Sequence, residues 1–192
     1  GNETQGLSDG TIIHVDEIIP TLDSIGISTN NALSSNWATS SDNIALEWIS
    51  NEGLNNVISI IINDTTIINA DESGKVHYTQ RTVNLNDTEG PVTFSLFFSD
   101  SAGNQGANRP ETSDGSTVGI DISNPSINSL MEGFDNLDPK YYNNSDTITL
   151  YWSQDDAISG IRETYYGIGT QPNTTDLMTW TPGQTNNFGG WN

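Results

Sequence analysis

Apolar and polar residues alternate in short runs along this chain. In NIALEWIS (Asn43 to Ser50), Ile44, Leu46 and Trp48 alternate with Ala45, Glu47 and Ile49. In TITLYW (Thr147 to Trp152), Ile148, Leu150 and Trp152 alternate with Thr149 and Tyr151. A period of two sends successive side chains to opposite faces, which predicts strands. Further strand-like runs are TLDSIGIS (21–28), VISIIIN (57–63), TIIN (66–69), KVHYTQRTV (75–83), VTFSLFF (92–98) and STVGI (116–120). Clusters of turn residues separate them: SNEGLNN, NADESGK, NDTEGP and SDSAGN. No window combines helical spacing with caps. Seven short strands in about 100 residues predict an all-β chain of antiparallel β-sandwich type, with Trp48 and Trp152 facing a core.

The two tryptophan strands belong to a longer repetition. SDNIALEW (41–48) and SDTITLYW (145–152) lie 104 positions apart. VDEIIPTLDSI (15–25) matches IDISNPSINSL (120–130) at an offset of 105, sharing Asp16 with Asp121, Pro20 with Pro125 and Ser24 with Ser129. SDGT (8–11) matches SDGS (113–116) at the same offset, and GNETQGLSDG resembles GNQGANRPETSDG (103–115). Self-similarity at a fixed long period marks tandem units. The expected organisation is the tail of a preceding repeat over 1–14, one sandwich over 15–120, and a second over 121–192 that stops before its closing strands. Such a chain is expected to be one piece of a longer array, its nearest partners being neighbouring domains of that array.

Charge and composition narrow the function. Twenty-five acidic against five basic residues give a net charge of −20 in 192 residues, which opposes binding to nucleic acid or an anionic membrane surface. With no cysteine, neither disulfides nor thiolate metal sites hold the fold. The longest apolar run, Ile58 to Ile62, is strand-sized, so no insertion into a membrane is expected of this segment. Abundant Asn, Ser, Thr and Gly with scarce Lys point to an extracellular or cell-surface location.

Three segments carry a family resemblance: VDEIIPTLDSIGIS, DTEGPVTFSLFFSDSAGN (87–104) and SDGSTVGID (113–121). In order and spacing they resemble the tandem Ig-like repeats of bacterial and archaeal adhesins and surface-layer proteins, across essentially all of 15–120. DDAISGIRETYYGIGTQPNTTDLMTWT (155–181) is more similar to a fibronectin type III-like surface module. The resemblance implies sandwich modules that serve a larger protein.

Candidate chemistry is limited. His14 and His77 have no serine or acidic partner at a recognisable spacing, and no HExxH, GxSxG or phosphate-loop pattern occurs, so no catalytic residue is assigned and no enzyme is expected. Calcium is the one cofactor considered, because it takes several hard oxygen ligands from loop carboxylates and carbonyls. The candidate ligands are Asp16 and Asp121 in the linkers, Asp100 in the SDSAGN turn, and Asp155 with Asp156 after the second tryptophan. Taken singly, each of these suits a turn in which it accepts a nearby backbone amide better than it suits an ion. The N-x-[ST] triplets at Asn2, Asn63, Asn86, Asn143 and Asn173 are as frequent as this composition yields by chance, and carry no weight.

Two functions follow. Short linkers containing Pro20 and Pro125 suit a non-catalytic structural spacer, an adhesin stalk or surface-layer component. The alternative is a carbohydrate-binding accessory module that takes surface glycans on Trp180, Trp191, Tyr141 or Tyr142. Trp180 alternates with apolar Met178, a pattern that argues for burial.

Overall fold

A computed structural model describes residues 15–67, 75–132, 150–183 and 189–191. The SDGT motif, His14, residues 69–74 of the NADESGK turn, residues 145–149 of the second octapeptide, Tyr141 and Tyr142 lie outside these, as does the side chain of Trp191. Among the described residues every regular element is a strand, so the chain is all-β. It divides into two compact units, Gly1–Ile120 and Asp121–Asn192.

In the first unit, β1 (Leu22–Thr29), β3 (Asn43–Ser50) and β6 (Val76–Thr82) form one antiparallel sheet in the order β1-β3-β6. A second sheet has the order β5-β4-β8, from β4 (Leu54–Ile62), β5 (Thr65–Ile67) and β8 (Phe94–Asp100). The inward positions of both become a sandwich-like core. Ile25, Ile44, Leu46 and Trp48 come from the first sheet, and Ile60, Ile62, Leu96 and Phe98 from the second, all buried. Three two-residue strands, β2 (Trp37–Ala38), β7 (Gly90–Pro91) and β9 (Gly119–Ile120), form a small sheet in which β9 lies between the other two. Strands this short show no periodicity; β2 and β7 are therefore absent from the sequence expectation, and STVGI forms a strand only at its end. Strand β4 also starts three residues before VISIIIN, inside the expected SNEGLNN turn.

Two local features follow from residue chemistry. Leu22 and Ile25 are three positions apart, yet both are buried. A bulge between Leu22 and Ser24 makes this consistent with a period of two. The β4–β5 connection is a two-residue turn, Asn63-Asp64, with φ of 49° and 61°. Asn and Asp tolerate that left-handed conformation, which tight hairpins require.

The second unit has a sheet of order β10-β11-β14, from β10 (Ser126–Glu132), β11 (Leu150–Asp155) and β14 (Gly189–Trp191), plus a hairpin of β12 (Tyr165–Ile168) and β13 (Met178–Pro182). Its first strand pair copies that of the first unit. Leu22 faces Ser50 and Ile25 faces Trp48; likewise Ile127 faces Gln154 and Leu130 faces Trp152, with the bulge between Ile127 and Ser129. The octapeptides thus recur because each runs into the central strand of its sheet, β3 in one and β11 in the other. Trp152 is buried against Tyr166, with ring centroids 5.8 Å apart.

Trp48 is buried and stacks on buried His77 at a centroid distance of 5.4 Å and an interplanar angle of 14°. Removing the indole leaves a large cavity, so Trp48→Ala is expected to cost about 3–5 kcal/mol. Urea denaturation of the first unit measures this; a variant with the parent's midpoint would contradict the placement.

Candidate metal centre

Strand β8 runs into the sequence DSAGN, and the turn folds around its first carboxylate. Asp100 Oδ1 accepts from Ala102 N–H at 2.9 Å and from Asn104 N–H at 2.8 Å, while Oδ2 accepts from Asn104 Nδ2 at 2.7 Å. Gly103 takes φ +95°, which glycine adopts without a Cβ clash. The Asn104 amide is thereby aimed at the segment before β1, where it also donates to the carbonyls of Asp16 and Ile18, each at 3.1 Å. The turn therefore grips the linker that leads into β1.

Asp16 lies in that linker and closes its own turn, Oδ1 accepting from Ile18 N–H at 3.0 Å. Glu52 comes from the turn after β3. Its neighbour Asn51 fixes that turn against the linker's end: Asn51 Oδ1 accepts from Thr21 N–H at 2.8 Å, and Asn51 N–H donates to the Thr21 carbonyl at 3.0 Å. One carboxylate oxygen from each of Asp16, Glu52 and Asp100 lies within 4.8 Å of the other two. That is the span of two oxygens on opposite sides of a Ca²⁺ with bonds of about 2.4 Å. Glu52 Oε1 is enclosed and has no hydrogen-bond partner. An enclosed carboxylate oxygen without a donor is costly, and a cation there would satisfy it. The donor set consists of hard oxygens, so it fits Ca²⁺.

Burial alone would raise the Asp100 carboxyl. The Asn104 side chain, and then the amides of Asn104, Gly103 and Ala102, outweigh that effect and hold it below the ordinary carboxylate value. Asp100 is accordingly ionised at neutral pH, as a metal ligand must be.

In the second unit, Asp121 repeats the linker turn of Asp16, its Oδ1 accepting from Ser123 N–H at 3.1 Å. Asp156 Oδ1 accepts from the amides of Ile158, Ser159 and Gly160 at 3.2, 3.0 and 2.9 Å. Asp121 Oδ2 accepts from the same Ser159 amide at 3.1 Å, so these two carboxylates converge. Asp155 is exposed at the end of β11. The five sequence candidates are thus divided. Among the described residues, only Asp16 and Asp100 belong to a group of three acidic side chains. The third member, Glu52, was not foreseen, although the offset of 104 that relates the tryptophans also places Glu52 opposite Asp156. The expected burial of Trp180 is incorrect: it is 68% exposed on β13, and Tyr165 on the paired strand β12 is 51% exposed. No family model, characterised protein or solved structure matches the chain.

Calcium at about ten times its dissociation constant is expected to stabilise the first unit by about 1.4 kcal/mol, a rise of a few degrees in melting temperature. Calorimetric titration and melting with chelator as reference test this; the shift should vanish in Glu52→Gln, and no heat with no shift would contradict the site. With chelator present, the depressed Asp100 carboxyl stabilises the fold above the ordinary value of 3.8, and this contribution is lost as pH falls through its lower folded value. Urea midpoints between about pH 5 and 2 should therefore fall less steeply for Asp100→Asn than for the parent; equal slopes would contradict it.

Proposed function

We propose that this chain is a non-catalytic spacer segment of a large extracellular or cell-surface protein, an adhesin stalk or surface-layer component. In this reading its units are Ig-like and fibronectin type III-like sandwiches. The observation that carries it is the grip of Asn104 on the Asp16 and Ile18 carbonyls, which ties a linker to the domain it enters. Pro20 is fully buried and Asp16 closes a turn, so little of this linker is slack. The same turn recurs at Asp121, as a modular array requires. Calcium at Asp16, Glu52 and Asp100 would reinforce the same pole, since it joins the linker to β8 and to the β3–β4 turn. No helix among the described residues is long and apolar enough to cross a membrane.

A second reading, a module that takes surface glycans, is supported by the exposed Trp180 and Tyr165 rings, because sugars stack on open aromatic faces.

Pulled by its ends in a force spectrometer, a load-bearing first unit should open in one step of roughly 35 nm, the contour of about 100 residues. Smooth extension without a step would contradict the spacer reading. A glycan array separates the alternatives: the spacer binds nothing, whereas binding abolished by Trp180→Ala would establish the second reading.

A further inference from the structure

Among the described residues, the first unit closes its long sheet edges with one exception. At β1, Ser113 Oγ accepts from Ile25 N–H at 2.9 Å, Ser116 Oγ accepts from Ile27 N–H at 2.9 Å, and Ser113 N–H donates to the Ile25 carbonyl at 2.8 Å. The same segment continues into Val118 and Ile120, both buried in the core. At β8, the residues after the DSAGN turn run back along the strand: Gly106 N–H donates to the Phe98 carbonyl at 3.1 Å, and Arg109 N–H to the Leu96 carbonyl at 3.4 Å. Strand β5 is only three residues long. That leaves β6, the other edge of the β1-β3-β6 sheet.

Strand β6 pairs with β3 along its whole length without a bulge. Just outside the paired stretch, Ser50 N–H donates to the Lys75 carbonyl at 2.9 Å and Val83 N–H to the Asp42 carbonyl at 2.8 Å. Bonded pairs alternate along an antiparallel ladder, so His77, Thr79 and Arg81 turn their backbone groups to β3, and Val76, Tyr78, Gln80 and Thr82 turn theirs outward. Among the described residues no hydrogen bond reaches the outward N–H of these four, and of their carbonyls only that of Thr82 is met, by Asn84 Nδ2 at 3.2 Å. Their side chains are open too: Val76 is 67% exposed and Tyr78 41%. Exposed edges are ordinarily blunted by proline, a bulge or charge. Strand β6 has no proline, no bulge and no carboxylate, whereas the closed edges carry Asp23 in β1 and Asp100 in β8.

We infer that β6 is a dimerisation edge: it pairs antiparallel with β6 of a second copy about a two-fold axis at Thr79. That register sets Tyr78 opposite Gln80 of the second copy and Val76 opposite Thr82. Every outward N–H then meets an outward carbonyl, the Thr82 oxygen offering its second lone pair. Val76 beside Thr82 and Tyr78 beside Gln80 also give each exposed side chain a cross-strand neighbour. The occupant is a second copy because one strand supplies both halves of this register, and because charge permits it here. At −20 per copy most approaches are repulsive. Glu47, opposite Tyr78, is the only carboxylate in β3 and β6. Across the junction it lies three strand spacings from its mate, about 14 Å, which exceeds the screening length of about 8 Å at physiological salt. Added salt therefore strengthens the pairing. The β1 edges of the joined sheet are both covered by Ser113 and Ser116, so association stops at the closed, isologous dimer. This goes beyond the spacer reading and does not rest on it.

Sedimentation velocity of the full chain at concentrations up to about 1 mM, which reaches even weak association, should show a monomer–dimer equilibrium that moves toward dimer with added salt. Gln80→Pro removes an N–H that faces away from β3, so this variant should melt like the parent and remain monomeric. The chain has no cysteine, so a cross-link can report the register. Val76→Cys mixed with Thr82→Cys should give a disulfide-linked heterodimer on mild oxidation, while neither variant alone cross-links in the same time, because only unlike positions face each other. If the proline variant melts below the parent, the cross-link decides. A parent that stays monomeric, an open-ended series of oligomers, dimers that persist in a folded Gln80→Pro chain, or a mixture that cross-links no faster than its components would overturn the inference.

Discussion

The outward amides of Ile25 and Ile27 have to be satisfied, and the groups that satisfy them lie 88 and 89 residues further along the chain. This long-range closure organises the first unit. It brings Val118 and Ile120 into the core, leads the chain to β9 between β2 and β7, and removes the free edge that β1 would otherwise present. Such distant pairing is entropically demanding and makes folding slow relative to local structure. The Ser113 to Ser116 clamp is consequently a condition for the sandwich-like core, since without it one edge strand has neither its amides nor its apolar face covered.

At the other end of β1 the same problem is solved by a different device. The carboxylate of Asp100 shapes a turn, the turn aims Asn104, and Asn104 holds the linker backbone. Part of the chain's acidity is explained by such turns. Asp16, Asp42, Asp114, Asp121 and Asp156 each accept a nearby backbone amide. Asp114 is held below the ordinary carboxylate range chiefly by Ser116. Asp87 is held below it as well: burial would raise it, but the bond from Arg81, the Asn84 amide and the Arg81 charge together outweigh that burial. Glu52 Oε1 differs from all of these because it is enclosed without a donor. That oxygen, rather than the net charge, singles out one pole of the first unit for a cation.

Much of this was legible in the letters. Alternation in NIALEWIS located β3 and the buried Trp48, and the paired octapeptides announced two sheets with a common register. What alternation could not locate was set by tertiary partners. The bulge that brings Leu22 and Ile25 to one face interrupts the very period being read. Strands β2 and β7 exist because β9 passes between them, and Glu52 becomes relevant because Asn51 pins its turn to Thr21. The serines of SDGS look like ordinary turn residues until their hydroxyls are found on the β1 edge. Trp180 shows the opposite failure: alternation with Met178 suggested an interior face, but the short β12–β13 hairpin leaves the indole in solvent.

The central claim, that the Ser113 to Ser116 segment closes β1, is tested most directly by amide hydrogen exchange on the chain. The Ile25 and Ile27 amides should exchange only through global opening of the first unit, and replacing Ser113 and Ser116 by Ala should speed their exchange by orders of magnitude. Equal protection in the parent and the doubly substituted chain would contradict the account.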